Sequence, residues 1–176
     1  MGLNSIWRTR IARKFFLEWG GGVSWYNFKF DDPSTVMSKD DNTVIFSQDT
    51  RNVDLRKSKL TVTYVNISAV PMIDFGDNSR KYTFLDGGKS SSSFRFGVGP
   101  YAGYRIDSYT KQMYYENNEK RRSHDHDNFY LNNLRYGLRL QMGFRDTEIF
   151  FNYDMNELFT TDKGPKLNAF SFGVTL

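Results

Sequence analysis

The sequence predicts an all-β chain, an antiparallel up-and-down transmembrane β-barrel of the eight-stranded type. Three observations carry this reading. In Phe94 to Ile106, the positions Phe94, Phe96, Val98, Ala102, Tyr104 and Ile106 share one parity, and Arg95, Gly97, Gly99, Tyr101, Gly103 and Arg105 share the other. A period of two is that of a strand whose faces see different surroundings. Glycine and arginine suit the crowded interior of a narrow barrel, which leaves the apolar face for lipid. Second, aromatic residues make up 17% of the 176 residues while hydrophobic residues in all reach only 39%. That balance fits a wall in which alternate residues meet lipid and aromatics gather at both interfaces. Third, no run approaches the roughly 18 apolar residues of a transmembrane helix.

Taken in order, residues 1–12 show no clean period and are read as a tail or partial strand, with residues 13–176 forming the barrel domain. The N-terminal segment lacks the apolar run and small-residue cleavage site of a signal peptide, so the expectation is numbering from a mature or engineered start. Phe15 to Phe30 reads as a strand with Leu17, Trp19, Gly21, Val23 and Trp25 on one face and Glu18, Gly20, Gly22, Ser24 and Tyr26 on the other. Residues 31–56 are rich in Asp, Ser, Thr and Asn and read as a long, mobile polar loop, with a short strand extension near Thr43 to Phe46. Lys57 to Phe75 is the next strand. It places Val65, Ile67, Ala69, Ile73 and Phe75 opposite Asn66, Ser68 and Asp74, with a bulge or strand end expected at Pro71.

Residues 76–93 read as a linker with turn chemistry and a brief pairing at Tyr82 to Leu85. The strand from Phe94 extends toward Tyr109, and residues 110–127 form a highly charged loop. Phe129 to Phe144 alternates longest, with Leu134, Tyr136, Leu138, Leu140, Met142 and Phe144 outward and Arg135, Gly137, Arg139, Gln141 and Gly143 inward. A reversal at Arg145 and Asp146 leads to Thr147 to Glu157, and after a loop at 158–165 the last strand runs from Lys166 to Leu176. Antiparallel pairing about that reversal sets Gly143 near Glu148 and Arg139 near Asn152, with Asp154 within a diagonal step of Arg135 and Arg139. Six strands alternate clearly, two short of the smallest membrane barrels. The weak segments, a missing N-terminal pair or a neighbouring chain must supply the rest.

Two sets of residues follow from parity. Glu18, Arg95, Arg105, Arg135, Arg139, Glu148 and Asp154 fall on the inward face, where desolvated charges must be paired. They are read as a structural salt-bridge plug in preference to an ion pathway, because an eight-stranded barrel is just wide enough for side chains. Phe96, Val98, Leu138, Leu140, Phe170, Phe172 and Val174 form the lipid-facing set.

Chemistry is scarce. His124, Asp125, His126 and Asp127 alternate on an extended chain with no distant ligand indicated, so they are read as a solvated extracellular loop, with no metal site. Cysteine is absent, which excludes disulfides and thiolate ligands. Both histidines lie in that one loop, and no nucleophile–base or paired-carboxylate arrangement is legible. The glycines of FGVGPYAGY lack the helix a dinucleotide fingerprint requires. No cofactor is expected. The net charge of +4 arises from 24 basic and 20 acidic residues that are interleaved, which argues against a nucleic-acid partner.

The segments GPYAGYRIDS, FYLNNLRYGLRLQMGF, FFNYDMNELF and KGPKLNAFSFGVTL resemble the PorT-like outer-membrane β-barrel family of Bacteroidota-type bacteria. WGGGVSWYNFKF and KLTVTYVNISAVP look like the family's middle strands, so the resemblance covers roughly residues 15 to 176. It implies an eight-stranded barrel without an enzymatic active site, with two further strands before the segment resembling residues 15 to 30. The implied partners are outer-membrane lipid and other envelope or secretion-system proteins. Alternating loop lengths place the long loops outside the cell and the C-terminus at the periplasmic rim. A soluble lipocalin-like ligand carrier or a narrow pore are the alternatives. The former would reverse the faces.

Overall fold

The computed structural model describes residues 2–51, 53–76, 94–116, 119–144 and 147–175. Among them every regular element is a strand: β1 (Gly2–Arg10), β2 (Phe15–Lys29), β3 (Thr35–Lys39), β4 (Val44–Gln48), β5 (Asp54–Asp74), β6 (Phe94–Glu116), β7 (Glu119–His126), β8 (Leu134–Phe144), β9 (Thr147–Glu157) and β10 (Asn168–Thr175). One antiparallel sheet runs β1-β2-β5-β6-β8-β9-β10, and β7 pairs with the distal half of β6. The reversal at Arg145 and Asp146, the segment 77–93 with Tyr82 to Leu85, and Leu176 lie outside the described residues.

The sheet is curled. Side chains of β1 and β2 meet those of β8, β9 and β10 across its concave side, through Arg8 with Glu148, Gln141 with Glu18, and Tyr26 with Ser171. Yet β1 and β10 pair with nothing on their outer sides among the described residues, so the sheet remains open along one seam. We call the end bearing residues 30–51, 127–133 and 158–167 the loop end, and the end bearing 11–14 the turn end.

The alternation read from the sequence organises the wall. On β8, Arg135, Gly137, Arg139, Gln141 and Gly143 are buried and Leu134, Tyr136, Leu138, Met142 and Phe144 are exposed. β9 repeats this, with Glu148, Asn152 and Asp154 inside and Ile149, Phe151, Tyr153 and Met155 outside. The expected register holds: Gly143 faces Glu148, Arg139 faces Asn152 and Gly137 faces Asp154.

Four expectations change. Residues 1–12 hold a full strand, whose Trp7 stacks on Trp19 of β2 at 5.1 Å on the convex side. Pro71 causes no bulge: it faces outward in unbroken register with Leu17, the β6 register is the same at Ser68 and Met72 on either side of it, and the shifts lie between Leu55 and Lys57 and between Thr63 and Tyr64. Phe129 and Tyr130 precede β8 with positive φ (43° and 48°) and so belong to no strand. Residues 31–56 and 110–127 are not plain loops, because Thr35–Lys39 pairs with Val44–Gln48 as the β3–β4 hairpin and Tyr109–Glu116 of β6 pairs with Glu119–His126 of β7.

These segments build an apolar cap over the loop end. Met37 and Val44 from β3–β4, Phe129 and Leu131, and Leu158 and Phe159 pack with Leu60, Val62 and Tyr64 of β5 in one core. Backbone links fix it, from Val44 N–H to the Lys163 carbonyl (2.8 Å) and from the Tyr130 hydroxyl to the carbonyls of Asp40 and Asp41. Two successive left-handed aromatics cost roughly 1–2 kcal/mol each. Complete burial of Phe129 offsets that at about 1.5–3 kcal/mol.

Candidate functional site

The concave face between the cap and the turn end holds the chain's buried charges. Its lower part is one network. Glu18 on β2 and Glu148 on β9 are both bridged by Arg8 of β1, at 2.5 and 2.8 Å. Arg95 of β6 donates to Glu148 at 3.0 Å. Gln141 of β8 donates its amide protons to both carboxylates and accepts from Arg139 Nε at 3.1 Å. Two carboxylates with little access to water could not share this space without donors. The glycines make room for them: a Cβ on Gly143 would lie 2.8 Å from the Arg95 guanidinium.

Higher up, Arg135 donates through Nε to Asp154 at 2.5 Å and lies over the ring of Tyr26 at 3.9 Å, with Tyr64 and Tyr101 each at 5.5 Å. A desolvated guanidinium among three tyrosine faces gains cation–π stabilisation beyond its ion pair. Arg139 is different. It is 93% buried, stacks over Phe150 at 3.9 Å, and makes no carboxylate ion pair among the described residues.

Arg139 also lines a cavity of about 690 Å³ with Tyr101, Asn152 and Ser171, and both edge strands reach it, through Asn4 and Ile6 of β1 and Gly173 of β10. The Tyr101 hydroxyl and Asn152 Oδ1 are buried there without a hydrogen-bond partner among the described residues.

Of the seven residues assigned to the inward charge set, the structure brings Glu18, Arg95, Arg139 and Glu148 into the lower network and Arg135 and Asp154 into the upper pair. Arg105 stands apart at the loop end, bonded to Ser108 (2.8 Å) and Asn133 (2.5 Å). Sequence reading missed Arg8, which lies in the segment taken as a tail. The available signal was Trp7, a lone large aromatic at a girdle-like position flanked by alternating small and basic residues. Phe96, Val98, Leu138, Leu140, Phe170, Phe172 and Val174 all lie on the convex side, half-exposed or exposed, up to 77% for Phe172. Leu140 and Phe96 are the most covered of them.

His124 and His126 lie on the exposed β7, beside the Tyr109 ring. Among the described residues no group of three or more His, Asp or Glu is close enough to hold a metal. No family model, curated protein or solved structure matches this chain.

Proposed function

We propose that this chain is the wall of a bacterial outer-membrane β-barrel, acting without chemistry of its own as an anchor or interaction component of an envelope or secretion assembly. The observation that supports this best is the inversion of the faces. Large apolar side chains, among them Trp19, Ile67, Leu138, Phe170 and Phe172, are exposed on the convex side, while Glu18, Arg95, Arg135, Arg139, Glu148 and Asp154 are buried on the concave side. In water such an apolar surface is a liability; in lipid it is the required one. A lipocalin-like carrier needs the opposite arrangement. A conducting pore is disfavoured by the ion-paired bars that cross the concave space and by the apolar cap above them.

In this reading the loop end is extracellular, the C-terminus lies at the periplasmic rim and the likeness to PorT-like barrels extends to architecture. The test is folding into detergent. Folded protein should migrate differently on a gel before and after boiling, and should precipitate when detergent is removed. Monodisperse protein in detergent-free buffer with native-like strand content would end the membrane reading.

A further inference from the structure

The convex side changes character along its length, and the cross-strand register locates the change. Val23, Val65, Tyr104 and Leu134 stand opposite one another in one transverse row, and the last three are exposed. Toward the loop end the β2–β5 register runs on unbroken, so the pairs Trp25 with Thr63, Asn27 with Thr61 and Lys29 with Lys59 follow on the same face. Lys59 in turn pairs with Lys111 of β6, and Lys111 with His124 of β7. Three lysines and a histidine thus form one row across four strands.

Such a row is costly to build. Side chains directly opposite one another have Cβ atoms about 4.5–5.5 Å apart, and like charges there repel. The next row adds to the charge, because Lys57 and Arg122 flank Met113 on the same face. Among the described residues none of Lys29, Lys57, Lys59, Lys111 and Arg122 forms an ion pair. Lys59 donates to a neutral acceptor, Asn27 Oδ1. Two acids of this face are already engaged, Asp107 at 3.4 Å from His126 Nδ1 and Asp54 at 2.8 Å from Arg56. The adjoining residues that lie outside the described set, Asn52, Asn117 and Asn118, are uncharged. The row therefore offers positive charge and N–H donors to an anion.

Position selects the anion. A tilted strand crosses the hydrocarbon in about 9–11 residues, and counted from the exposed Phe75 that length of β5 ends near Val65. Trp25 and Tyr109 come next, half-buried aromatics with a polar atom, of the kind that sits at a membrane interface. The lysines lie just beyond, on stems long enough to reach back toward that interface. A free anion or a nucleic acid would have no use for the apolar wall below the row, whereas a lipid occupies both.

Resting on the membrane-barrel reading, we propose that Lys29, Lys59 and Lys111, with His124 at the end of the row, form a lateral site for the phosphate group of a lipid headgroup. The ammonium groups donate to phosphate oxygens in charge-assisted hydrogen bonds, which relieve the repulsion along the row. The acyl chains of the same lipid lie against Val65 and Tyr104. In the proposed orientation the site meets the outer leaflet.

The experiment folds the full chain into phosphatidylcholine vesicles with a trace of spin-labelled lipid, either phosphatidic acid or phosphatidylcholine. The fraction of each label that is motionally restricted beside the wall is measured. Phosphatidic acid should be preferred by on the order of fivefold or more, the factor that one lysine contributes near a charged membrane surface. The preference should fade as salt approaches about 1 M, where the Debye length is about 3 Å. Lys29→Gln, Lys59→Gln and Lys111→Gln together should abolish it, and the matching triple arginine variant should keep it, with heat-modifiable migration checking that both fold. Equal restriction of the two lipids by the unaltered chain overturns the proposal, as does a preference that survives the glutamine changes. Loss of the preference to an equal concentration of inorganic phosphate or polyglutamate also overturns it, giving the row to a free anion or an acidic polypeptide. A chain that restricts neither lipid is not in the bilayer, and that result sinks the membrane reading itself.

Discussion

The two halves of this molecule solve opposite packing problems with the same strands. Toward the turn end, β5 turns Val65 and Ile67 outward, and its concave side shares space with paired charges and a small cluster of Phe16, Val70 and Met72. Toward the loop end the same strand sends Leu60 and Val62 into an apolar core, and its outer face carries Lys59 beside Lys29 of β2. Polarity reverses across Thr63 and Tyr64, where the register shifts. One half is built for a surrounding that is apolar outside, the other for one that is wet outside. The chain thereby marks where the proposed membrane boundary falls.

The sharpest way to break this comparison is to remove one partner of a buried pair. Arg135→Ala leaves Asp154 buried and should destabilise by about 3–5 kcal/mol, read as a shift in the denaturant midpoint of folded protein. Arg135→Met with Asp154→Leu should recover most of that loss. If the single change is neutral, the concave face is wetter than its geometry says.

Next comes the cap. Phe129→Ala removes a wholly buried ring and should cost about 3–5 kcal/mol, with the left-handed strain at that residue unchanged because alanine keeps the Cβ that causes it. This loss should be the same in detergent and in lipid vesicles. Leu138→Arg provides the contrast: roughly 2–4 kcal/mol in lipid if the residue lies near the bilayer midplane. A Leu138→Arg chain as stable as wild type in vesicles would remove the distinction between the halves.

The smallest effect is a titration. Asp49, after β4, accepts from Arg51 Nε at 2.9 Å, and this bond holds its carboxyl at about 2 against an ordinary 3.8. A depressed folded value means the contribution is present above the unfolded value and is lost as pH falls through the folded one. Exchange of the backbone amides around Asp49 should thus quicken between about pH 4 and pH 2 while the wall stays protected. The Arg51→Gln variant should abolish that step. Persistence of the step in the variant would assign it to another carboxylate.

How much of this was legible depended on distance along the chain. The β8–β9 register could be read because a short reversal and strict alternation leave one pairing that keeps Leu138 and Ile149 on the same side. The ion pair of Arg135 with Asp154 followed from it. The cap could not be read, because its core draws Met37, Val44, Phe129, Leu131, Leu158 and Phe159 from three segments whose own composition is polar. β1 was obscured by its arginines, one of which turns out to join two carboxylates from distant strands. Arg105 obeys parity yet stands too near the loop end to share the network.

The length of β6 has a mechanical consequence. A tilted strand crosses a bilayer in about 9–11 residues, and β6 has 23. In the proposed orientation its distal part, zipped to β7 from Tyr109↔His126 to Glu116↔Glu119 and to β5 on its other side from Thr61↔Tyr109 to Asp54↔Tyr115, projects as a stiff three-stranded arm. At roughly 3.3 Å per residue, the eight paired residues alone add about 25 Å. A soluble protein could grip that arm without touching a headgroup, and a pull on it would be transmitted along one continuous strand into the wall.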